Sequence, residues 1–182
     1  LHAPGFRDDR SIYKSIPKAA QFLAHAKRAG VNATMRSFGG GLVSIGNKSA
    51  GANFIGIDPR AEALHFEFPK RLGQGTFLSE ATPNHALLGA NLARNLQAKL
   101  GDEMIVVVQA ADGSMGNEIF LVEGILSSVD AQIDQAGVFI HRRDFESLFV
   151  CPGRIHEIAL RDTLGRAPQE LVKVLEPHAQ KQ

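Results

Sequence analysis

Residues 104–126 read MIVVVQAADGSMGNEIFLVEGIL. Two runs rich in β-branched and aliphatic residues, Met104 to Ala110 and Ile119 to Leu126, flank Asp112-Gly113-Ser114-Met115-Gly116-Asn117, a composition that favours a tight connection. The stretch reads as a long antiparallel hairpin with a surface tip. Just before it, Ala86-Leu87-Leu88 runs into Gly89 and a helix from Asn91 to Leu100, with Leu92, Leu96 and Leu100 on one face and Gly101-Asp102 closing it. Just after it come a short strand at Val138-Phe139-Ile140, a short helix from Asp144 to Phe149, and a break at Cys151-Pro152-Gly153.

Both ends of the chain read differently from this β-rich middle. Ser15 is expected to cap a helix at Ile16-Pro17, in which Ile16, Ala19, Ala20, Leu23 and Ala26 recur at helical spacing until Gly30. Val31 to Met35 and Phe54 to Ile57 read as strands. The polar, glycine-rich segment between them, Gly39 to Gly51, is expected to be a flexible connection that holds a strand at Leu42 to Ile45. Asp58-Pro59 ends that unit, and Arg60 to Leu72 suits a helix and loop interrupted by Pro69 and the turn Gly73-Gln74-Gly75. Ile155 to Leu160 returns as a strand, and Pro168 opens a last helix with Leu171, Val172 and Leu175 inward. The fold class is therefore α+β, a layered α/β unit interrupted by a β-rich insert.

The 182 residues, 44% hydrophobic and 21% charged, can bury a sizeable core. Lys and Arg (20) balance Asp and Glu (19), leaving no field that would collect nucleic acid by charge. The longest apolar run falls well short of the ~20 residues of a membrane helix. Cys151 is the single cysteine, so no internal disulfide forms. The opening Leu1-His2-Ala3-Pro4-Gly5-Phe6 has no basic segment followed by an apolar core, and the chain is expected to be the interior of a longer protein.

Motifs with catalytic potential fail on spacing. In Gly41-Leu42-Val43-Ser44-Ile45-Gly46-Asn47-Lys48-Ser49, Asn47 separates the second glycine from the lysine, which cannot then fold back over a phosphate as in a P-loop; no amphipathic helix follows Ser49. Asp112 stands where a nucleophile elbow before Ser114 needs glycine, and strands lie on both sides of the turn. Asp112 and Glu118 lack the alternating ligands of a calcium loop. Cys151 and His156 could form a thiolate–imidazole pair, but Phe149, Val150 and Pro152 give the thiol an apolar setting. Seven histidines are scattered at 2, 25, 65, 85, 141, 156 and 178 without zinc spacing. His141-Arg142-Arg143, flanked by Asp144 and Glu146, reads as a solvated face. No catalytic, metal or cofactor residue is therefore assigned, and no cofactor is expected.

Several stretches resemble the extracytoplasmic domain of ABC transporter permeases of the MacB and LolC/LolE group, the periplasmic core domain of the FtsX-like family. They are Leu1-His2-Ala3-Pro4-Gly5-Phe6-Arg7-Asp8-Asp9, Phe54-Ile55-Gly56-Ile57-Asp58-Pro59, Ala86-Leu87-Leu88-Gly89-Ala90-Asn91-Leu92-Ala93, Ala111-Asp112-Gly113-Ser114-Met115-Gly116-Asn117, Phe120-Leu121-Val122-Glu123-Gly124-Ile125 and Gly153-Arg154-Ile155-His156-Glu157-Ile158-Ala159. The resemblance implies a porter-like α/β subdomain from residues 1–64 and 153–182, with a β-rich sabre-like subdomain, 65–152, inserted between. It implies a non-enzymatic periplasmic domain of an inner-membrane permease, coupling ATP-driven membrane-helix motion to the handling of a substrate or partner, with a leaning to lipoprotein release. The implied partners are a cytoplasmic ATPase subunit, a periplasmic adaptor, carrier or lipoprotein, and a second permease in a dimer. Both chain ends are expected side by side on the porter-like lobe. The rival class is a small hydrolase or nucleotide-binding enzyme using the Gly39–Ser49 loop, which would need perturbed groups converging in one pocket.

Overall fold

The computed structural model describes residues 1–3, 5, 6, 9, 11–162, 164–166, 170 and 175. The glycine-rich segment is not a connection. Strand β1 runs unbroken from Val31 to Ile45 and turns through Gly46-Asn47 into β2, Lys48–Ile57, with Ile45 opposite Lys48. Gly46, at φ +56°, takes the first central position of a two-residue hairpin, where a positive φ suits the strand twist. Chain order then gives α2 (Pro59–His65), a 3-10 turn (Phe68–Arg71), β3 (Leu72–Gly75), β4 (His85–Leu88), α3 (Ala90–Leu96), β5 (Glu103–Gln109) and β6 (Met115–Leu126). It closes with α4 (Ala131–Ala136), β7 (Gly137–His141), α5 (Arg142–Leu148) and β8 (Glu157–Asp162); α1 (Ala19–Arg28) precedes β1.

Pairing turns this order into a ring. β1 pairs with β2, β2 with β7, β7 with β4, β4 with β6, β6 with β5, and β5 returns to β1 between Gly41 and Ser44. A closed barrel leaves no unpaired edge along its staves. Every second residue points inward, and Val43, Phe54, Ala86, Leu88, Met104, Val106, Val108, Phe120, Val122, Val138 and Ile140 form one buried cluster. Because β4 and β7 are antiparallel, the helices that follow them leave at opposite ends: α3 brings in Leu92 and Leu96, α5 brings in Phe145 and Phe149 at its end. The aromatic pair needs space, which glycines supply. A Cβ on Gly39 would sit 2.5 Å from the Phe149 ring, and one on Gly56 would sit 2.7 Å from the Phe145 Cβ.

A second cluster is built by the two ends of the chain. The first half of β1 pairs with β8, Val31 opposite Asp162 through Arg36 opposite Glu157. Leu1 exchanges backbone bonds with Ile158 (2.9 and 2.8 Å), so the opening residues extend this sheet. Ala3, Phe6, Ile16, Phe22, Ala26, Val31, Ile155, Ile158 and Leu175 are buried together against it. Residues 1–64 thus contribute to both clusters, with β1 passing from one into the other.

Several boundaries differ from expectation. Helix α1 begins at Ala19, preceded by Lys18 in the left-handed region, so Ser15 lies too far ahead to cap it; residues 15–18 stay outside the helix, and the Ile16 N–H donates to the Ile155 carbonyl at 2.7 Å. Gly30, at φ +73°, stops the helix as expected. Helix α3 stops at Leu96: Gln97 adopts φ +56°, and Leu100, expected on the apolar face, is exposed. The 104–126 hairpin forms with Ile105 opposite Ile119, but β6 begins at Met115, which confines the tip to 110–114. Gly73-Gln74-Gly75, read as a turn, lies in β3, and α4 was not expected. Pro168, Leu171 and Val172 of the expected last helix lie outside the described residues.

Candidate functional site: the joint on strand β1

Where β1 leaves the end-built cluster and enters the barrel, the protein concentrates its buried polar groups. Thr34, Ser37, Glu62 and His156, with Asp134 elsewhere, are the buried polar side chains among the described residues. Arg36 is the centre. Its Nε and Nη2 donate to Glu62 at 2.7 and 3.0 Å, and its Nη1 donates to Glu157 at 3.1 Å. Burial works against the guanidinium charge, yet the bonds and attraction of Glu62, followed by Glu157, hold the Arg36 pKa above its ordinary value. Glu62 reaches this point because Asp58 caps α2, accepting from the Ala61 N–H at 2.9 Å, with Pro59 in the first turn. A buried pair of this kind specifies geometry more than it adds stability, but removing one member strands the other at a cost of about 3–5 kcal/mol.

The next residues lock the crossing. The Ser37 hydroxyl donates to the Arg154 carbonyl (2.8 Å), and the Phe38 N–H donates to Nδ1 of His156 (2.8 Å). Nε2 of His156 lies 3.0 Å from the Ile12 carbonyl, so a neutral ring with the proton on Nε2 satisfies both nitrogens. Burial pushes the His156 pKa below 6.5, with Arg154 acting in the same direction and the Ile12 bond opposing. Phe6 stacks on the ring at 5.2 Å. No motif announces this joint, since Arg36, Glu62 and Glu157 are far apart in sequence. The legible signal is one arginine in a strand that is otherwise apolar or small.

The residues weighed for catalysis are not brought together. Lys48 stands exposed at the start of β2, with a strand and no helix after it. The Ser114 hydroxyl donates to Asp112 at 2.6 Å; this bond, and then the Ser114 N–H, hold the Asp112 carboxyl below its ordinary range. That pair closes a turn. Cys151 is buried, and burial followed by Glu146 pushes its thiol up to about 11, which keeps it protonated and inert at neutral pH. His156 cannot take the thiol proton, because both of its nitrogens face backbone groups. His141 accepts from the Arg143 N–H at the head of α5, Arg142 pairs with Glu146, and Arg143 donates to the Glu80 carbonyl at 3.1 Å. This basic run is structural. No group of three metal-ligating side chains occurs among the described residues.

Comparison with known proteins rests on the shape of the chain, since no family model and no curated relative matches its sequence. The periplasmic region of MacB from Actinobacillus actinomycetemcomitans superposes with a TM-score of 0.73 at 19% identity, covering 100% of this chain and 81% of that one. The fold is that of the MacB periplasmic region. A MacB-type fold also relates the chain to the extracellular domain of the noncanonic ABC-type transporter YknZ from Gram-positive bacteria, with a TM-score of 0.64, 9% identity, and 88% and 78% of the two chains covered. A domain of a permease protein from Porphyromonas gingivalis matches at TM-score 0.54 and 18% identity, over 99% of this chain and 69% of that one. Among the described residues, no helix is long and apolar enough to cross a membrane.

Proposed function

We propose that this chain is the periplasmic domain of an ABC transporter permease and transmits movement rather than performing chemistry. The observation that carries this reading is the single strand β1, tied by Arg36, Ser37 and Phe38 to Glu62, Arg154, His156 and Glu157, which joins an end-built cluster to a closed barrel. In this reading membrane helices flank the chain, and their displacement enters through the sheet that carries Leu1 and β8. A strand locked at the crossing passes a tilt of that cluster to the barrel, as packed bodies transmit rotation about an interface. Residues 1–64 and 153–182 are then the porter-like part and 65–152 the sabre-like part, sharing one sheet through β1 and β2. ATP is hydrolysed by a separate cytoplasmic subunit, the permease acts as a dimer, and the domain meets a periplasmic adaptor, carrier or lipoprotein, with lipoprotein release as the favoured process.

The test is topological. In the intact parent protein, a cysteine placed at exposed Ser114 reacts with a membrane-impermeant maleimide once the outer membrane alone is opened, while buried Cys151 stays unlabelled as an internal control. Labelling that requires opening the cytoplasm overturns the proposal. Titration of the domain with Mg-ATP is expected to show no saturable binding.

A further inference from the structure

We propose that the cleft beside the joint holds a basic side chain, lysine above all, presented by an extended segment of a partner protein. The inference rests on the cleft and on the barrel face beside it, independently of the transport reading. The cleft has a volume of about 230 Å³, room for one long side chain, and Phe38, Ile55 and Phe139 give it an apolar floor. Its polar walls are Arg36 with Glu157 on one side and Asp130, at the head of α4, on the other. Arg36 is already held between Glu62 and Glu157, so it offers no surplus positive charge. Asp130 caps α4 through Oδ1, which accepts from the Gln132 and Ile133 N–H groups at 2.9 Å, and its Oδ2 takes no bond among the described residues. Nδ1 of His2 also lies 3.6 Å from Glu157 Oε2. Even with that imidazole charged, Arg36 and His2 face three carboxylates, Glu62, Glu157 and Asp130, so the surplus is negative. An anion would face two carboxylates, whereas a lysine can lay its methylenes on the aromatic floor and point its ammonium at them.

The surroundings select a polypeptide. Outward positions on β1 run from Phe38 in the cleft over Gly40 to Leu42, a span of ~13 Å in an extended chain. A Cβ on Gly40 or on Gly51, the partner of Leu42 on β2, would meet nothing within 4 Å, so the track between them is flat and open. Leu42 is exposed and pairs with Val107, next to the exposed Ile105 and Ile119. A segment with lysine in the cleft and an apolar residue four positions on would cover both anchors. It would do so through side chains, because β1 is hydrogen-bonded to a strand on both sides at Leu42 and cannot accept another.

Heteronuclear NMR titration of the 182-residue chain tests this with three probes at neutral pH: n-hexylammonium, hexanoate, and the peptide acetyl-Lys-Thr-Gly-Thr-Leu-amide. Hexylammonium should shift the Phe38, Ile55 and Phe139 amides and saturate, while hexanoate should not. The peptide should bind about tenfold tighter than hexylammonium and also shift Leu42 and Val107. Asp130→Asn, which keeps the helix cap, should weaken hexylammonium about threefold, and Asn53→Lys, at an exposed position on the rim, should abolish binding by filling the cleft with its own ammonium. Equal binding of hexanoate, or unchanged binding in both variants, overturns the assignment of a cation site. A peptide no tighter than hexylammonium overturns the partner segment.

Discussion

The barrel has two outer faces with opposite fates. On the β2–β7–β4 side, Ile55, Phe139 and Leu87 are covered by Leu78, Phe68, Leu72 and Ile133 from the connections before β4 and from α4. Phe68 stacks on Phe139 with ring centroids 4.3 Å apart. On the β1–β5–β6 side no element among the described residues covers Leu42, Ile105 and Ile119, which stand 60%, 51% and 48% exposed. Ile105 and Ile119 lie directly opposite each other. The same pleat and the same residue types thus yield core on one side and surface on the other. Exposed apolar side chains grouped in this way are what the proposed partner segment would cover, and the cleft lies where the internal cover ends.

The difference can be broken first on the covered side. Phe139→Ala should destabilise the protein by about 3–5 kcal/mol, because it removes a stacked ring from a packed cluster and leaves a cavity. Denaturant unfolding measures this, and a loss under ~1 kcal/mol would mean that the cover is loose. Neighbouring glycines sharpen the contrast between inside and outside. Gly39→Ala drives a methyl into the Phe149 ring and should cost about 1–3 kcal/mol, whereas Gly40→Ala, one residue on and facing outward, should lie within about 0.5 kcal/mol of the parent. Equal effects would show that the alternation of β1 is misassigned.

A third test separates both faces from the joint beneath them. The folded pKa of His156 lies below its ordinary value of 6.5, so the unfolded chain takes up the proton first. Stability that is complete above that value is therefore lost as pH falls below it towards the folded pKa. The Tm should be flat from pH 8 to 7 and decline from about 6.5 to 5, ahead of most carboxylate titration. His141 shifts in the same direction, through burial first and then Arg143, so the decline should flatten in His156→Asn and persist in His141→Gln. The smallest effect belongs to the bare face. Ile119→Thr should change stability by less than about 0.5 kcal/mol in denaturant unfolding, while reducing self-association at high concentration measured by light scattering. A larger loss would show that the face is not bare.

What sequence alone could determine follows from local chemistry. The 104–126 hairpin was legible because β-branched runs flank a turn composition, and α5 and β7 were legible because their apolar residues cluster over a few positions. Gly30 and Asp58-Pro59 mark element ends through their own backbone preferences. That Asn47 separates Gly46 from Lys48, unlike the spacing of a phosphate loop, was likewise readable, whereas the strand–turn–strand form of the stretch was not. Tertiary structure decided the rest, since the deciding partners are distant in the chain. Gly39, Gly40 and Gly41 look like a flexible linker in isolation, and they form a strand because β2 pairs with all three and β5 joins on the other side from Gly41, while Phe149 fills the space that a side chain at Gly39 would take. Ring closure depends on β1 meeting β5 across some 60 residues, a contact without a local signature. The joint is hidden for the same reason: Arg36, Glu62 and Glu157 are individually ordinary charged residues, and only folding places the arginine between the two carboxylates.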